Sequence, residues 1–120
     1  MNPTTPDATS RMQFHDTRLG KKVAFEPMRD GEVTMYLCGP TVYNYAHIGN
    51  ARPAVVFDLL ARVLRRRYKL TFARNITDVD DKINQAAIDS GKSIGEITAR
   101  FIDAYNEDMA TLGVQRPTVE

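Results

Sequence analysis

Residues 35–53, MYLCGPTVYNYAHIGNARP, gather side chains that could do chemistry. A short apolar run ends at Cys38, Gly39-Pro40 follow, and His47 stands where a helical pattern begins. A thiol can ligate a soft metal or act as a nucleophile, and an imidazole can donate to a phosphate oxygen or carry a proton. A second polar run, NITDVDDK at 75–82, carries Asp78, Asp80 and Asp81. Each has a plainer reading when taken alone. A lone cysteine at a strand end is usually a small buried hydrophobe, and a histidine at a helix start more often caps or packs. The aspartates suit a turn and the acidic start of a helix, against the sharper reading of a magnesium site.

The surrounding pattern says which elements must position these groups. Val33 to Cys38 is a β-rich run with little alternation, as expected of a strand buried on both faces of a parallel sheet. Val55, Val56, Leu59, Leu60, Val63 and Leu64 form an apolar stripe at helical spacing, with Pro53 expected in the first turn of that helix. KLTFAR, 69–74, reads as a second strand. A polar turn over 75–81 leads to a helix near 81–90 that Gly91 ends. Ser93 and Glu96 have the spacing of a capping box for a last helix near 94–111, whose apolar face would be Ile94, Ile97, Phe101, Ile102 and Tyr105. Before the first strand, Phe14 and Val23-Ala24-Phe25 flank TRLGKK, which predicts a hairpin turning near Gly20. RDGE at 29–32 supplies another turn.

Residues 1–11 are polar and proline-bearing and read as a disordered tail. Residues 12–113 are expected to be the N-terminal part of an α/β domain, and 114–120, within the closing GVQRPTVE, a departing linker. Strand, helix, strand, helix is the opening of a doubly wound α/β fold, in which ligands gather at the carboxyl ends of the strands. Both polar runs fall there. The Rossmann glycine fingerprint and the P-loop are absent, so a phosphate would have to be held another way.

The bulk numbers set limits. The 120 residues hold 16 basic and 15 acidic side chains, so no global field draws in nucleic acid or membrane. One cysteine excludes a disulfide scaffold and points to a reducing, cytoplasmic compartment. The uncharged run 33–51 contains proline, glycines, asparagines and His47, too polar for a bilayer core, so no membrane association is expected.

Read together, CGPTVYNYAHIGNAR followed by RNITDVDDKI resembles the cysteinyl-tRNA synthetases, and the likeness runs from about Phe14 to the C-terminus. The resemblance implies the first half of a Rossmann-type class I synthetase domain with a parallel sheet, preceded by the hairpin. It implies an ATP-dependent ligase that makes cysteinyl-adenylate and passes the cysteinyl group to the 3′ end of tRNA(Cys). ATP, L-cysteine and that tRNA would be its partners, and the parent protein would be a monomer. His47-Ile48-Gly49-Asn50 stands where the family has His-Ile-Gly-His, which makes His47 and Asn50 the catalytic candidates and His47, Gly49 and Asn50 the ATP-binding ones. Asn50 departs from the pattern: its amide can donate a hydrogen bond but carries no charge. Cys38 matches a zinc ligand that reads the substrate thiolate, a contact that separates cysteine from serine by far more than packing could. Gly39, Thr41 and Thr77 match positions near the bound cysteine, and Mg2+ would accompany ATP.

The other zinc ligands and the second signature loop of the family have no counterpart in these residues. The chain is therefore read as an N-terminal fragment, inactive alone. Arg62, Arg65, Arg66 and Arg67 are most simply a solvated helix end, with a tRNA or phosphate contact as the sharper reading. Three other readings stay open: a cysteine-activating ligase of mycothiol synthesis, a non-catalytic nucleotide- or tRNA-binding paralogue, and a small redox domain built on Cys38.

Overall fold

The computed structural model describes residues 11–120, so all of the expected tail except Arg11 lies outside the described residues. The chain divides into two compact units, one ending at Asp30 and the other running Gly31–Glu120.

In the first unit, β1 (Gln13–Asp16) and β2 (Lys21–Ala24) pair antiparallel, with Phe14 opposite Val23. The turn closes as expected near Gly20, whose φ of 65° lies in the left-handed region and whose N–H donates to the Asp16 carbonyl at 2.8 Å. Asp16 also accepts from Leu19 N–H through its side chain at 3.0 Å. The Phe14 and Phe25 rings meet edge to face at 5.4 Å.

The second unit is the α/β part. β3 (Glu32–Leu37) and β4 (Lys69–Arg74) pair in parallel, from Glu32 opposite Lys69 to Leu37 opposite Arg74. α1 (Ile48–Arg65) makes the crossover, as a parallel pair requires. α2 (Asp81–Ser90) and α3 (Ile94–Thr111) follow β4. The sheet and its crossover give the α/β class read from the sequence.

β3 is not buried on both faces. Val33 and Leu37 are buried, whereas Tyr36, pointing the other way, is 65% exposed. The strand alternates because only one face is covered here, by α1; a run with few charges hid that alternation.

α1 also differs from its reading. It starts at Ile48, so Pro53 is inside the helix rather than in its first turn. The Gly49 carbonyl consequently receives no bond from residue 53, whose ring crowds it. The face turned inward is Ala51, Ala54, Asp58, Ala61 and Leu64, while Val55, Val56, Leu59 and Val63 of the expected stripe are exposed. Small residues let the helix approach closely. Ala51 and Ala54 pack with Tyr105 and Met109 of α3, and Ala61 packs with Leu37 and Phe72 of the sheet. Hydropathy alone does not distinguish an alanine seam from a valine–leucine row.

α2 and α3 follow the sequence closely. Asp80 caps α2, accepting from Lys82 N–H at 2.8 Å and Ile83 N–H at 3.1 Å, and Gly91 closes it at φ 67°. Ser93 and Glu96 form the predicted capping box of α3. On α3, Ile97 and Tyr105 are buried as expected, joined by Thr98 and Met109, while Ile94 is 41% exposed.

The segment read as a departing linker is tied down. Asp58 accepts from Gln115 N–H at 3.0 Å, and Arg62 donates to the Gly113 carbonyl at 2.7 Å. Val119 then bridges β4 in parallel beside Ala73, exchanging backbone bonds of 3.0 Å with Phe72 and Arg74. Arg74, 3% exposed, pairs with Glu120 at 3.1 Å.

Candidate active site

The two polar runs meet just beyond the carboxyl ends of β3 and β4. Thr41 and Thr77 form an isolated parallel bridge, with Val42 N–H donating to the Thr77 carbonyl at 3.1 Å and Thr77 N–H to the Pro40 carbonyl at 2.9 Å. The Asn75 side chain accepts from Gly39 N–H at 2.6 Å. A Cβ at residue 39 would land on the Asn75 carbonyl oxygen, so the loops touch at a point only glycine allows. Gly39, Thr41 and Thr77, grouped by the resemblance, lie on one seam. Asn75, which holds the seam together, was read only as part of a polar turn; its signal was its place at the end of β4.

His47 is the N-cap of α1. Its Nδ1 accepts from Gly49 N–H at 3.0 Å, and its own N–H donates to Asn50 Oδ1 at 3.0 Å. A ring nitrogen that accepts a backbone proton carries none itself, so a neutral His47 holds its proton at Nε2. That leaves Nε2–H as a donor beside the open helix end. Asn50 uses its side-chain oxygen on the cap, which leaves its amide N–H groups for other acceptors. No Asp or Glu occupies the first turn of α1, so the positive end of the helix dipole is not offset there.

Two adjoining cavities open over this seam. The smaller, about 160 Å³, is lined by Cys38, Gly39, Gly49 and Asn50 among others. The larger, about 320 Å³, is lined by Thr41, Tyr43, Tyr45, His47, Asn50 and Lys82 among others. Pro40, Asn50 and Tyr105 border both. Every predicted site residue except Thr77 therefore faces one cavity or the other, and Thr77 backs them through Thr41. Tyr105 was assigned only to the apolar face of α3; nothing in its spacing marked it as a cavity wall. Burial pushes its phenol above the usual value of 10.0, against the pull of nearby Arg74, so its hydroxyl is neutral at pH 7.

Cys38 is exposed, unlike the buried hydrophobe of the plainer reading. As one soft donor it suits zinc, yet among the described residues no group of three His, Cys, Asp or Glu side chains could hold a metal. The described residues alone do not make a zinc centre. The same test removes a magnesium cluster at Asp78, Asp80 and Asp81, of which Asp80 serves as the α2 cap. Of the basic helix end, Arg62 is held by Asp58 and Gly113, and Arg65 donates to Gln115 at 3.0 Å. No described helix is long and apolar enough to cross a membrane.

The parallel β3–β4 pair with its crossover helix α1 makes this an α/β unit, and the comparison with known families gives that unit a family. The family model described as "tRNA synthetases class I (C) catalytic domain" matches residues 24–120, and the chain belongs to that family. Among curated proteins it is similar to "Cysteine--tRNA ligase" of Maricaulis maris, 61% identical over 91% of this chain and 24% of that protein. It is likewise similar to the proteins of that name from Rhodospirillum rubrum, at 57% identity, and Xylella fastidiosa, at 63%, with the same 91% and 24% coverage. The chain thus spans about a quarter of the length of these relatives.

Proposed function

We propose that this chain supplies the amino-acid and ATP half-site of a cysteine–tRNA ligase. The observation that carries the reading is the meeting of Cys38 and the His47-capped helix end on two adjoining cavities. The family, and relatives named for that activity, support it. In the first step the cysteine carboxylate attacks the α-phosphate of ATP and pyrophosphate leaves. In the second the tRNA 3′ end takes the cysteinyl group and AMP leaves. Positioning and stabilisation of phosphate charge supply most of the catalysis in such transfers.

His47 donates from Nε2 to a phosphate oxygen, and the Asn50 amide adds a neutral donor. The positive end of the α1 dipole, with no acidic side chain in its first turn, faces the same charge. Gly49, without a side chain, lets adenine lie against the backbone. The Cys38 side holds the amino acid, with Gly39, Thr41 and Thr77 shaping its seat. Cys38 is one proposed donor to zinc, with the remaining coordination outside these residues, and no step here is routed through that metal. Mg2+ is proposed to arrive with ATP. The parent is proposed to act as a cytoplasmic monomer.

The test is cysteine-dependent ATP–pyrophosphate exchange, run on the longest polypeptide encoded by the reading frame and on the 120-residue chain beside it. Exchange by the longer form, abolished by Cys38→Ala, is expected. Exchange that is indifferent to Cys38→Ala, or absent from both forms with zinc and Mg2+ supplied, overturns the reading. The 120-residue chain alone is expected to be silent.

A further inference from the structure

The aminoacylation reading leaves one feature of the larger cavity unused. Its rim carries two exposed aromatic rings, Tyr43 and Tyr45, from one short loop, and each has a cation over it from a different helix. Lys82, in the first turn of α2, places its ammonium 5.4 Å from the Tyr43 ring centre. Arg100 of α3 lies 5.6 Å from the Tyr45 ring centre and donates to the Tyr45 hydroxyl at 2.8 Å. Phe101 meets Tyr45 edge-on at 5.0 Å, which fixes that ring.

We propose that this rim seats the unpaired 3′ end of the tRNA, the two tyrosines stacking its bases and Lys82 and Arg100 meeting its phosphates; the proposal rests on the aminoacylation reading above. Exposed rings interleaved with cations are what an unpaired strand needs, because every base offers a flat face and every linkage a charge. The ammonium of Lys82 sits on a flexible stem and can leave the ring face for a phosphate as a base takes its place. Tyr45, clamped by Arg100 and Phe101, is the fixed end of the platform. The rim opens onto the cavity that His47 borders, so a strand lying on it would run its terminal ribose toward the adenylate. The arginines at the end of α1, which the sequence offered for this contact, are less suited: Arg62 and Arg65 hold the segment at 113–115.

The test compares the two half-reactions in the longest polypeptide of the reading frame, using unmodified tRNA(Cys) transcript as the probe. Tyr43→Leu and Lys82→Met are expected to lower aminoacylation kcat/KM for tRNA by about tenfold or more beyond any loss in ATP–pyrophosphate exchange, the first through a lost stacking face and the second through a lost phosphate contact. Tyr43→Phe and Lys82→Arg, which keep ring and charge, should recover most of the loss. Raising salt should weaken tRNA use less steeply in Lys82→Met than in the unaltered protein. Equal losses in both half-reactions would assign the rim to the adenylate or to loop structure and overturn the proposal. So would unchanged aminoacylation in both variants. Failure of the unaltered protein to exchange pyrophosphate would instead sink the aminoacylation reading itself.

Discussion

At the scale of single residues, Gly39 carries a close approach and His47 two roles that paired substitutions can separate. Gly39→Ala forces a methyl group onto the Asn75 carbonyl, and backbone cannot swing aside as a side-chain tip would. A loss of about 1–3 kcal/mol is expected from urea unfolding, in the range of other overpacked sites; an unchanged midpoint would contradict the close approach. His47 both caps α1 and presents Nε2–H. His47→Ala should cost ~0.5–2 kcal/mol of stability through the lost cap, whereas His47→Asn should keep the cap, since asparagine is a good one. Both should lower pyrophosphate exchange in the longest polypeptide by about 10²-fold or more, as loss of a charge-stabilising donor does. Stability that follows the cap while exchange follows the imidazole would confirm the division. That Cys38 follows the β3 strand and His47 opens α1 was legible, because residue type and motif order announce it. Asn75 and Tyr105 were not, because a contact between two loops, or the wall of a cavity, exists only after the chain has folded.

The helices differ in how openly the sequence declares them. Caps are local, so Asp80, Ser93, Glu96 and Gly91 placed α2 and α3 without reference to the rest of the molecule. The buried side of α1 is a tertiary matter: its neighbours ask for alanines that fit closely, and no local signal says so. Leu64→Ala is therefore expected to cost ~2–5 kcal/mol, and Leu59→Ala, on the 63% exposed side, well under half of that, by thermal or urea unfolding of the chain. Equal costs would restore the stripe first read from hydropathy. At the start of α3, Glu96 accepts from Ser93 N–H and Oγ at 2.9 Å each, which lowers its carboxyl below the usual 4.5, the backbone bond first and the hydroxyl next. A lowered folded-state value means stability present above that usual value and lost as pH falls through the lower one. Helicity followed by circular dichroism should thus fall across acid pH below 4.5, and Glu96→Gln should flatten that part of the profile.

For the α/β unit as a whole, the closing residues are part of the fold. Asp58 and Arg62 on α1 hold the turn after α3, and Val119 and Glu120 lie against β4. Arg74 is nearly inaccessible, stacks 5.3 Å from the Tyr105 ring, and has Glu120 as its ion-pair partner, with its Nε making no hydrogen bond among the described residues. Removing the carboxylate leaves a buried cation less well satisfied, so Glu120→Gln should destabilise the chain by ~1–3 kcal/mol. The double variant Arg74→Met/Glu120→Gln should cost less than the two changes added together; strict additivity would show the pair to be uncoupled. The sequence signalled a linker here because GVQRPTVE has the proline and polarity of one, and a single strand-like bridge is too short to leave a pattern.

The seam at Gly39 and Asn75, with its Thr41–Thr77 bridge, also limits how the site can move. Two loops fastened at three adjacent points cannot slide past one another without breaking backbone bonds. The floor of the smaller cavity is thus pinned at Gly39, and the Thr41 side of the larger one is pinned with it. The Val42 and Thr77 amides of the seam should then exchange as slowly in the free protein as with ATP added.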